Sequence, residues 1–255
     1  MLNLVLPFNN KIVELKPVTL KDSLDFYYLG DDLQTITNKL ESFIVTKNLN
    51  LVEKIYSLFY LREECLGSLI NLSEFAIDIH VFLSELEEVL SIEKKIKKNN
   101  FFIELDYPSN FSLYDNDETA LIKSIEIDSE KVILSELNKE HKEALLNFIP
   151  SNILKEVRLF KDNNENNLKI NFKIKENNYN IKFLSTELII FLKNIFTTVT
   201  PHSYRQYIFT LSKRMHDISF LTTQSTLVDI EDYIDLYLKE NEETKGVNET
   251  NLDGF

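Results

Sequence analysis

The side chains that could do chemistry in this chain are four histidines, one cysteine and a run of carboxylates near the C-terminal end. Two histidines hold one metal ion most readily when they lie three or four residues apart on a helix. The histidines here have no such spacing; they are His80, His141, His202 and His216. We therefore expect surface or capping roles for them and no metal site.

The carboxylates Asp229, Glu231, Asp232 and Asp235 raise the question of a calcium site. An EF-hand loop needs a central glycine and ligands spread over about twelve residues, and this run has neither. Carboxylates in the first turn of a helix interact favourably with the helix dipole, so the run predicts a helix start. Carboxylates that converge only in the fold, as in a glycosidase, stay open as an alternative to which nothing in the sequence points.

The cysteine and the glycines give no sign of a nucleophile or a nucleotide site. Cys65 is the only cysteine, so it forms no internal disulfide, and its leucine-rich surroundings predict a buried, inert thiol. The glycines are isolated and build no GxxxxGK[ST], GxGxxG or GxSxG motif; they are Gly30, Gly67, Gly246 and Gly254. The sequence thus assigns no catalytic, metal or cofactor-binding residue, and we expect a protein that is not an enzyme.

Charge argues against nucleic acid as a partner. The formal net charge is −13, and a surface of that sign repels phosphates. The densest basic run is interpreted as a solvated helix end; it contains Lys94, Lys95, Lys97 and Lys98. No apolar stretch approaches the length of about 18 residues that spans a membrane, and residues 1–7 lack the pattern of a secretory signal. We expect a cytoplasmic protein, or one built into a particle assembled there.

Composition predicts a folded, helix-rich α+β protein. Hydrophobic residues make up 44% of the chain, too many for a disordered protein, and 4 Gly and 5 Pro are too few for the turns of a β-sandwich. The polar run 162–167 predicts a turn-rich boundary. It would separate an N-terminal α+β region, 1–162, from a hairpin with C-terminal helices, 163–240, and an acidic flexible tail, 241–255.

Hydrophobic periodicity places the expected elements. Alternation predicts an N-terminal hairpin within 2–15, a second hairpin within 168–183 that turns at Asn177 and Asn178, and a small mixed sheet. The strands of that sheet are expected within residues 69–83, 101–107, 122–127 and 132–134. Helices are expected over residues 20–28 (capped by Thr19), 32–47, 51–66 (ended by Gly67), 84–98, 143–148 and 151–160, with a C-terminal bundle over 186–196, 203–215 and 227–239.

Amphipathic surface with aromatic edges is the main resource that remains. Tyrosine and arginine are enriched in protein–protein hot spots, whereas aromatic stripes at helical spacing are also typical of a core. The residues concerned are Tyr204, Arg205, Tyr207, Phe209, Lys213, Arg214, Tyr233 and Tyr237. The pattern favours a binding protein and assigns no single residue to the interface.

Three parts of the first half carry recognisable patterns. The chain opens with Leu6-Pro7-Phe8-Asn9-Asn10-Lys11, Leu15-Lys16-Pro17 and Thr19-Leu20-Lys21-Asp22. Later come Leu58-Phe59-Tyr60-Leu61-Arg62-Glu63-Glu64-Cys65-Leu66-Gly67 and Leu105-Asp106-Tyr107-Pro108-Ser109. In order and spacing over residues 1–110 they resemble the baseplate hub and hub-assembly proteins of T-even-like myophages. The C-terminal half is similar only in its general layout.

The resemblance implies a protein that binds other tail components in the host cytoplasm while the baseplate hub forms. We expect first an assembly factor. The first alternative is a structural hub subunit that is retained in the virion, and the second alternative is a small enzyme whose site cannot be recognised in the sequence. Many family members carry paired CxxC sites, but this chain has no cysteine between Leu72 and Val81, so no zinc is implied. The bound tail protein, the interface and self-association stay open.

Overall fold

The α+β class predicted from the sequence is confirmed, and the strands pair antiparallel in each described sheet, so the expected mixed sheet is wrong. The structure is a computed structural model. It describes residues 1–72, 75–90, 94–98, 100–107, 121–128, 130–167, 169–174, 177–182, 186–212, 218–236 and 239. The tail predicted over 241–255 therefore lies outside the described residues.

The strands form three hairpins and one four-stranded meander of order β5-β6-β7-β8. Their bounds are β1 Leu2–Val5, β2 Ile12–Leu15, β3 Leu69–Leu72, β4 Phe75–Asp78, β5 Lys95–Lys98, β6 Phe101–Leu105, β7 Ile122–Ile127, β8 Glu130–Ile133, β9 Lys169–Ile174 and β10 Asn177–Lys182. The helices are α1 Leu20–Tyr28, α2 Leu33–Glu41, α3 Leu51–Leu66, α4 Ile79–Leu90, α5 Lys139–Asn147, α6 Ser151–Asn167, α7 Thr186–Phe196, α8 Pro201–Ser212, α9 Ile218–Gln224 and α10 (residues 227–236).

Local signals account for the first elements. Thr19 caps α1 through a capping box with Asp22, as the sequence predicts. Gly67 ends α3 with a φ of 85°, a left-handed conformation that glycine adopts without a steric penalty. Between these two helices, α2 ends at Glu41, not at 47. Residues beyond α2 extend instead along β2, where Ile44 bridges Leu15, because that strand edge still has unpaired backbone groups.

The segment 69–83 is not a single strand. It forms the β3–β4 hairpin and then enters α4 at Ile79, where the Asp78 carboxylate accepts a hydrogen bond from the backbone N–H of His80. Two periodicities overlap here. The alternating pattern that includes Ile77 overlaps a helical repeat that begins at Ile79. The buried members of the helical repeat are Ile79, Phe82, Leu83 and Leu86. Because the helical repeat is buried, the segment folds as a helix. Val81, which an alternating strand would put on the same face as Ile77, is exposed.

The predicted helix over 84–98 is also wrong in its second half. Helix α4 ends at Leu90, and the lysine run lies on β5, at the edge of the four-stranded sheet, except for Lys94, which comes just before that strand. Lys98 reaches Glu156 on α6 at 3.2 Å, whereas Lys95 and Lys97 are exposed. A charged edge strand protects a sheet from pairing with other chains, which explains lysines in this position.

The polar run 162–167 is the last part of α6, so the predicted turn-rich boundary is not a loop. The second hairpin is confirmed, but Asn177 and Asn178 pair within it, opposite Ile174 and Lys173, and do not form its turn. The C-terminal helices are confirmed with shifted ends, since α8 begins at Pro201. These helices pack on the N-terminal ones, α7 against α2 and α9 against α1.

Two hydrophobic cores result. The larger core contains residues from both sides of position 162. Before it, the core residues lie between Leu4 and Leu86, together with Tyr107; after it, they lie between Leu188 and Ile230. The smaller core lies between the four-stranded sheet and the helices α5 and α6; its buried members are Ile103, Leu105, Ile122, Ile125, Leu134, Ile149, Ile153 and Val157. The division between cores therefore does not follow the sequence division at 162.

Candidate functional site

The histidines that the structure describes lie apart from one another. His80 pairs through Nε2 with Glu63 Oε1 at 2.9 Å, and His141 and His202 are exposed on α5 and α8. His216 lies outside the described residues. Among the described residues, no group of three or more histidine, cysteine, aspartate or glutamate side chains is arranged to hold a metal ion.

Cys65 is buried in the larger core, as predicted. Burial raises the pKa of its thiol to about 11, although the backbone N–H of Val18 donates a hydrogen bond to Sγ at 3.3 Å. A thiol with so high a pKa carries almost no thiolate at neutral pH, and the thiolate is the nucleophilic form. The geometry therefore gives Cys65 a packing role.

The carboxylate run begins α10, as the helix-dipole argument predicts. Thr226 caps this helix: its hydroxyl accepts from the N–H of Asp229 at 3.2 Å, and the Asp229 carboxylate accepts from the N–H of Thr226 at 2.9 Å. Glu231 accepts a hydrogen bond from the hydroxyl of Tyr207 at 3.1 Å. The carboxylates thus act in helix capping and helix–helix contact.

The N-terminal end of α3 carries a polar network that sequence reasoning missed. Glu53, 5% exposed, accepts from Asn9 Nδ2 at 2.8 Å and from Lys11 Nζ at 3.2 Å, both in the β1–β2 turn. Asn50 caps α3 and donates from Nδ2 to Asp106 Oδ1 at 2.8 Å. The capping pair was visible in the sequence, because a residue such as Asn followed three positions later by Glu marks a helix start.

This network connects parts of the chain that carry patterns singled out in the sequence. The turn at Asn9 and Lys11 belongs to the first segment and Asp106 to the last, while the middle segment is the body of α3. Helix α3 therefore holds the three segments as one structural unit. The hydrogen bonds of the network join the β1–β2 turn, the start of α3 and the segment that follows β6.

Arg62 is the largest fully buried side chain, at 2% exposure. Its Nε donates to the carbonyl of Ile195 at 2.9 Å, Nη2 donates to the carbonyl of Leu69 at 2.8 Å, and Nη1 donates to the carbonyl of Gly67. Burial lowers the pKa of Arg62 to about 10, so the guanidinium stays charged at neutral pH. Arg62 thus ties α3 to the start of β3 and to the end of α7.

Tyr107 joins the two cores. It belongs to the larger core and lies 6.5 Å, centroid to centroid, from Phe160 of α6, while its sequence neighbour Leu105 belongs to the smaller core. Lys94 Nζ lies 4.2 Å from the centroid of the Tyr107 ring. Burial lowers the pKa of Lys94, and the nearby Asp106 opposes that shift. The segment from Leu105 to Tyr107 is therefore one link between the cores, through both its backbone and its packed side chains.

The aromatic residues predicted at the C-terminal helices divide into two sets. Tyr204 and Tyr207 pack against the larger core, and burial raises the pKa of Tyr207 to about 12. Phe209 on α8 is 64% exposed, and Tyr233 and Leu236 on α10 are 48% and 59% exposed. We name these three exposed residues the C-terminal surface. Arg205 is exposed on the same helix as Phe209, whereas Lys213, Arg214 and Tyr237 lie outside the described residues.

Exposed aromatic and aliphatic side chains of this kind are the anchors that protein–protein interfaces use. No helix in the described part of the chain is both long and apolar enough to span a membrane. Comparisons with protein-family models, with curated proteins and with solved structures found no match to this chain.

Proposed function

We propose that this chain is a phage tail baseplate hub assembly protein that acts by binding other tail proteins. It would work in the host cytoplasm while the hub forms. The phage assignment rests on the resemblance of the three segments quoted above. The observation that carries the binding mode is the C-terminal surface: Phe209 is exposed on α8, and Tyr233 and Leu236 are exposed on α10, which a hydrogen bond from Tyr207 to Glu231 joins to α8.

The arrangement suits an assembly factor for a physical reason. Large apolar side chains on the rigid helices α8 and α10 give contact area with little loss of side-chain entropy. The surrounding chain has a net charge of −13, which keeps the free protein soluble and steers it towards a basic partner. The chain would cover an adhesive surface of a hub subunit until the next subunit binds.

The proposal is tested by affinity purification of the tagged chain from phage-infected cells, with mass spectrometry of the eluate and of finished particles. Tail proteins in the eluate together with absence of the chain from particles are the expected result. Presence in both would make the chain a structural hub subunit retained in the virion. An eluate with no tail protein enriched above an untagged control would contradict the proposal and would return attention to an enzyme.

The C-terminal surface is tested in the same purification. Because hot-spot residues contribute about 2 kcal/mol or more each, the double variant Phe209→Ala with Tyr233→Ala is expected to lower the recovery of tail proteins at least about tenfold. Tyr28→Ala is the matched control, an aromatic residue of 67% exposure on α1. Equal recovery with the double variant and the control would exclude this surface as the interface.

A further inference from the structure

A groove lies at one end of the four-stranded sheet, between the β7–β8 hairpin and α5. Its volume is about 500 Å3, and its lining is mostly aliphatic; it consists of Ile125, Ile127, Asp128, Glu130, Val132 and Leu145. Pockets of about 300–1,000 Å3 are large enough to take a ligand or the anchor residues of a peptide.

The groove lies where the face of the four-stranded sheet is only partly covered. Ile125, Ile127 and Val132 alternate on the face of the sheet that turns towards the smaller core. Ile125 is 1% exposed at the floor, whereas Ile127 and Val132 near the hairpin turn are only half-buried. An apolar sheet face is normally covered by another element, so this end of the smaller core is incomplete.

The rim of the groove is acidic. Asp128 and Glu130 are both exposed beside the apolar floor. Asp128 Oδ1 accepts from Asn100 Nδ2 at 2.8 Å, and Glu130 has no ion pair with any residue that the structure describes. The net charge of −13 has the same sign. Charge complementarity therefore selects a positively charged occupant.

A further exposed apolar side chain lies on α5, close in sequence to the groove lining. Phe148 at the C-terminal end of α5 is 77% exposed, and it follows the groove residue Leu145 by three positions. Side chains three residues apart project from the same side of a helix, so Phe148 adds an aromatic anchor on the side of α5 that carries Leu145. Exposed aromatics beside an apolar groove are typical of interface hot spots.

We propose that this groove binds an apolar segment of a partner protein that is flanked by lysine or arginine. The apolar residues of the segment would cover Ile127 and Val132 and complete the smaller core, while its cations would pair with Asp128 and Glu130. The inference deepens the proposed function, because it rests on that function for the partner being a protein and adds the chemistry of the recognised segment.

The test is a methyl NMR titration of the full chain with two synthetic 16-residue peptides that share one stripe of leucine and phenylalanine. One peptide carries lysines on its polar face and the other carries glutamates. We expect the lysine peptide to shift the methyl signals of Ile125, Ile127, Val132 and Leu145. The glutamate peptide is expected to bind at least about tenfold more weakly, since like charges oppose each other across an interface.

Two charge variants control for general attraction to an acidic chain. Glu130→Gln is expected to weaken the lysine peptide about threefold to fivefold, the size of one rim ion pair. Glu126→Gln changes the net charge equally but lies on the opposite face of the same sheet, where it pairs in register with Lys131, and it is expected to change nothing. Equal losses in both variants would overturn the proposal.

The other contrary outcomes are equally definite. Methyl shifts confined to another surface, or none with the lysine peptide, would overturn the proposal. Concentration-dependent shifts of the same methyl groups in the chain alone would show that a second copy occupies the groove. Since the titration uses only the purified chain, its failure is separate from failure of the tail-protein purification. Success without captured tail proteins would keep the groove and remove the phage assignment.

Discussion

The two cores of this protein are built from different materials. The larger core is rich in aromatic rings: Phe26 stacks on Phe196 at 5.4 Å, and Phe59 stacks on Phe82 at 5.2 Å. Its polar side chains, Arg62 among them, bond to backbone groups distant in sequence. The buried side chains of the smaller core are aliphatic and lie between the sheet and the helices α5 and α6, with half-buried residues at one end of the sheet.

The difference indicates a division of labour. Stacked rings and satisfied buried polar groups specify one arrangement, because any slip of the chain would leave a charge or a carbonyl without a partner. A partly covered aliphatic core tolerates adjustment and retains apolar surface for another molecule. We therefore expect the larger core to determine stability and the smaller core to respond to binding. Three experiments test that contrast.

The largest effect is expected for Arg62→Met. Methionine fills a similar space but removes the hydrogen bonds that Arg62 donates to the carbonyls of Gly67, Leu69 and Ile195, of which the bond to Ile195 is buried. Because each unsatisfied buried group costs about 1–3 kcal/mol, the free energy of unfolding should fall by about 3–5 kcal/mol in urea titrations. Arg62→Lys is the control. Its loss of unfolding free energy should be smaller than that of Arg62→Met but not zero, since an ammonium cannot reach three diverging carbonyls. A loss below about 1 kcal/mol for Arg62→Met would contradict a central role for this residue.

A matched pair of helix caps gives the next comparison. Asn50 caps α3 in the larger core region and also donates to Asp106, whereas Asn138 caps α5 beside the smaller core, where its side-chain Oδ1 accepts from the N–H of His141. Asn50→Ala should therefore cost about 2 kcal/mol and Asn138→Ala about 1 kcal/mol of unfolding free energy. Equal losses of unfolding free energy in the two variants would mean that the hydrogen bond from Asn50 to Asp106 does not contribute to stability.

The smallest effect concerns Glu104 on the outer face of the sheet. Hydrogen bonds from Lys131, and also from Lys123 and Ser124, lower the pKa of Glu104 from 4.5 to about 2. A carboxylate whose folded pKa is lowered adds stability above its unfolded pKa, and that stability is lost as the pH falls from about 4.5 to about 2.

We expect Glu104→Gln to lower the free energy of unfolding by about 1 kcal/mol at pH 7, a modest value because both lysines are half exposed to solvent. The difference in stability between the two chains should shrink as the pH falls below about 4.5 and should be mostly lost at pH 2, where Glu104 is about half protonated. The measurement is urea unfolding across that pH range. A difference between the two chains that does not change with pH would exclude ionisation as its cause.

Much of the larger core region was predictable because several local signals agree. For α3, the capping pair Asn50 and Glu53, the apolar repeat and the final Gly67 all indicate the same helix. Prediction failed where signals conflict, as at Ile79, which fits both an alternating and a helical repeat. It failed again at the lysine run, because a charged edge strand and a charged helix end have the same composition.

The candidate sites were less predictable for a different reason. Exposed aromatics on α8 and α10 were visible as residue types, but only packing separates the exposed Phe209 from the buried side of Tyr207. The partner of Asn50 lies 56 residues away and that of Arg62 lies 133 residues away, beyond any local pattern. The groove depends on how α5 packs against the β7–β8 hairpin, and no local sequence pattern predicts that packing.

The bond between Ser23 and Phe196 has a consequence for synthesis on the ribosome. The Ser23 hydroxyl donates to the Phe196 carbonyl across 173 residues, and Phe26 stacks on the same residue. At translation rates of about 5–20 residues per second, the first helices wait roughly 10–35 s before their partner is made. During that interval the ring of Phe26 lacks its stacking partner Phe196. The stretch from Ile103 to Val157, in contrast, contains every buried residue of the smaller core and is complete before α7 is made. Termination before α7 would therefore leave a product with one finished core and an adhesive N-terminal half.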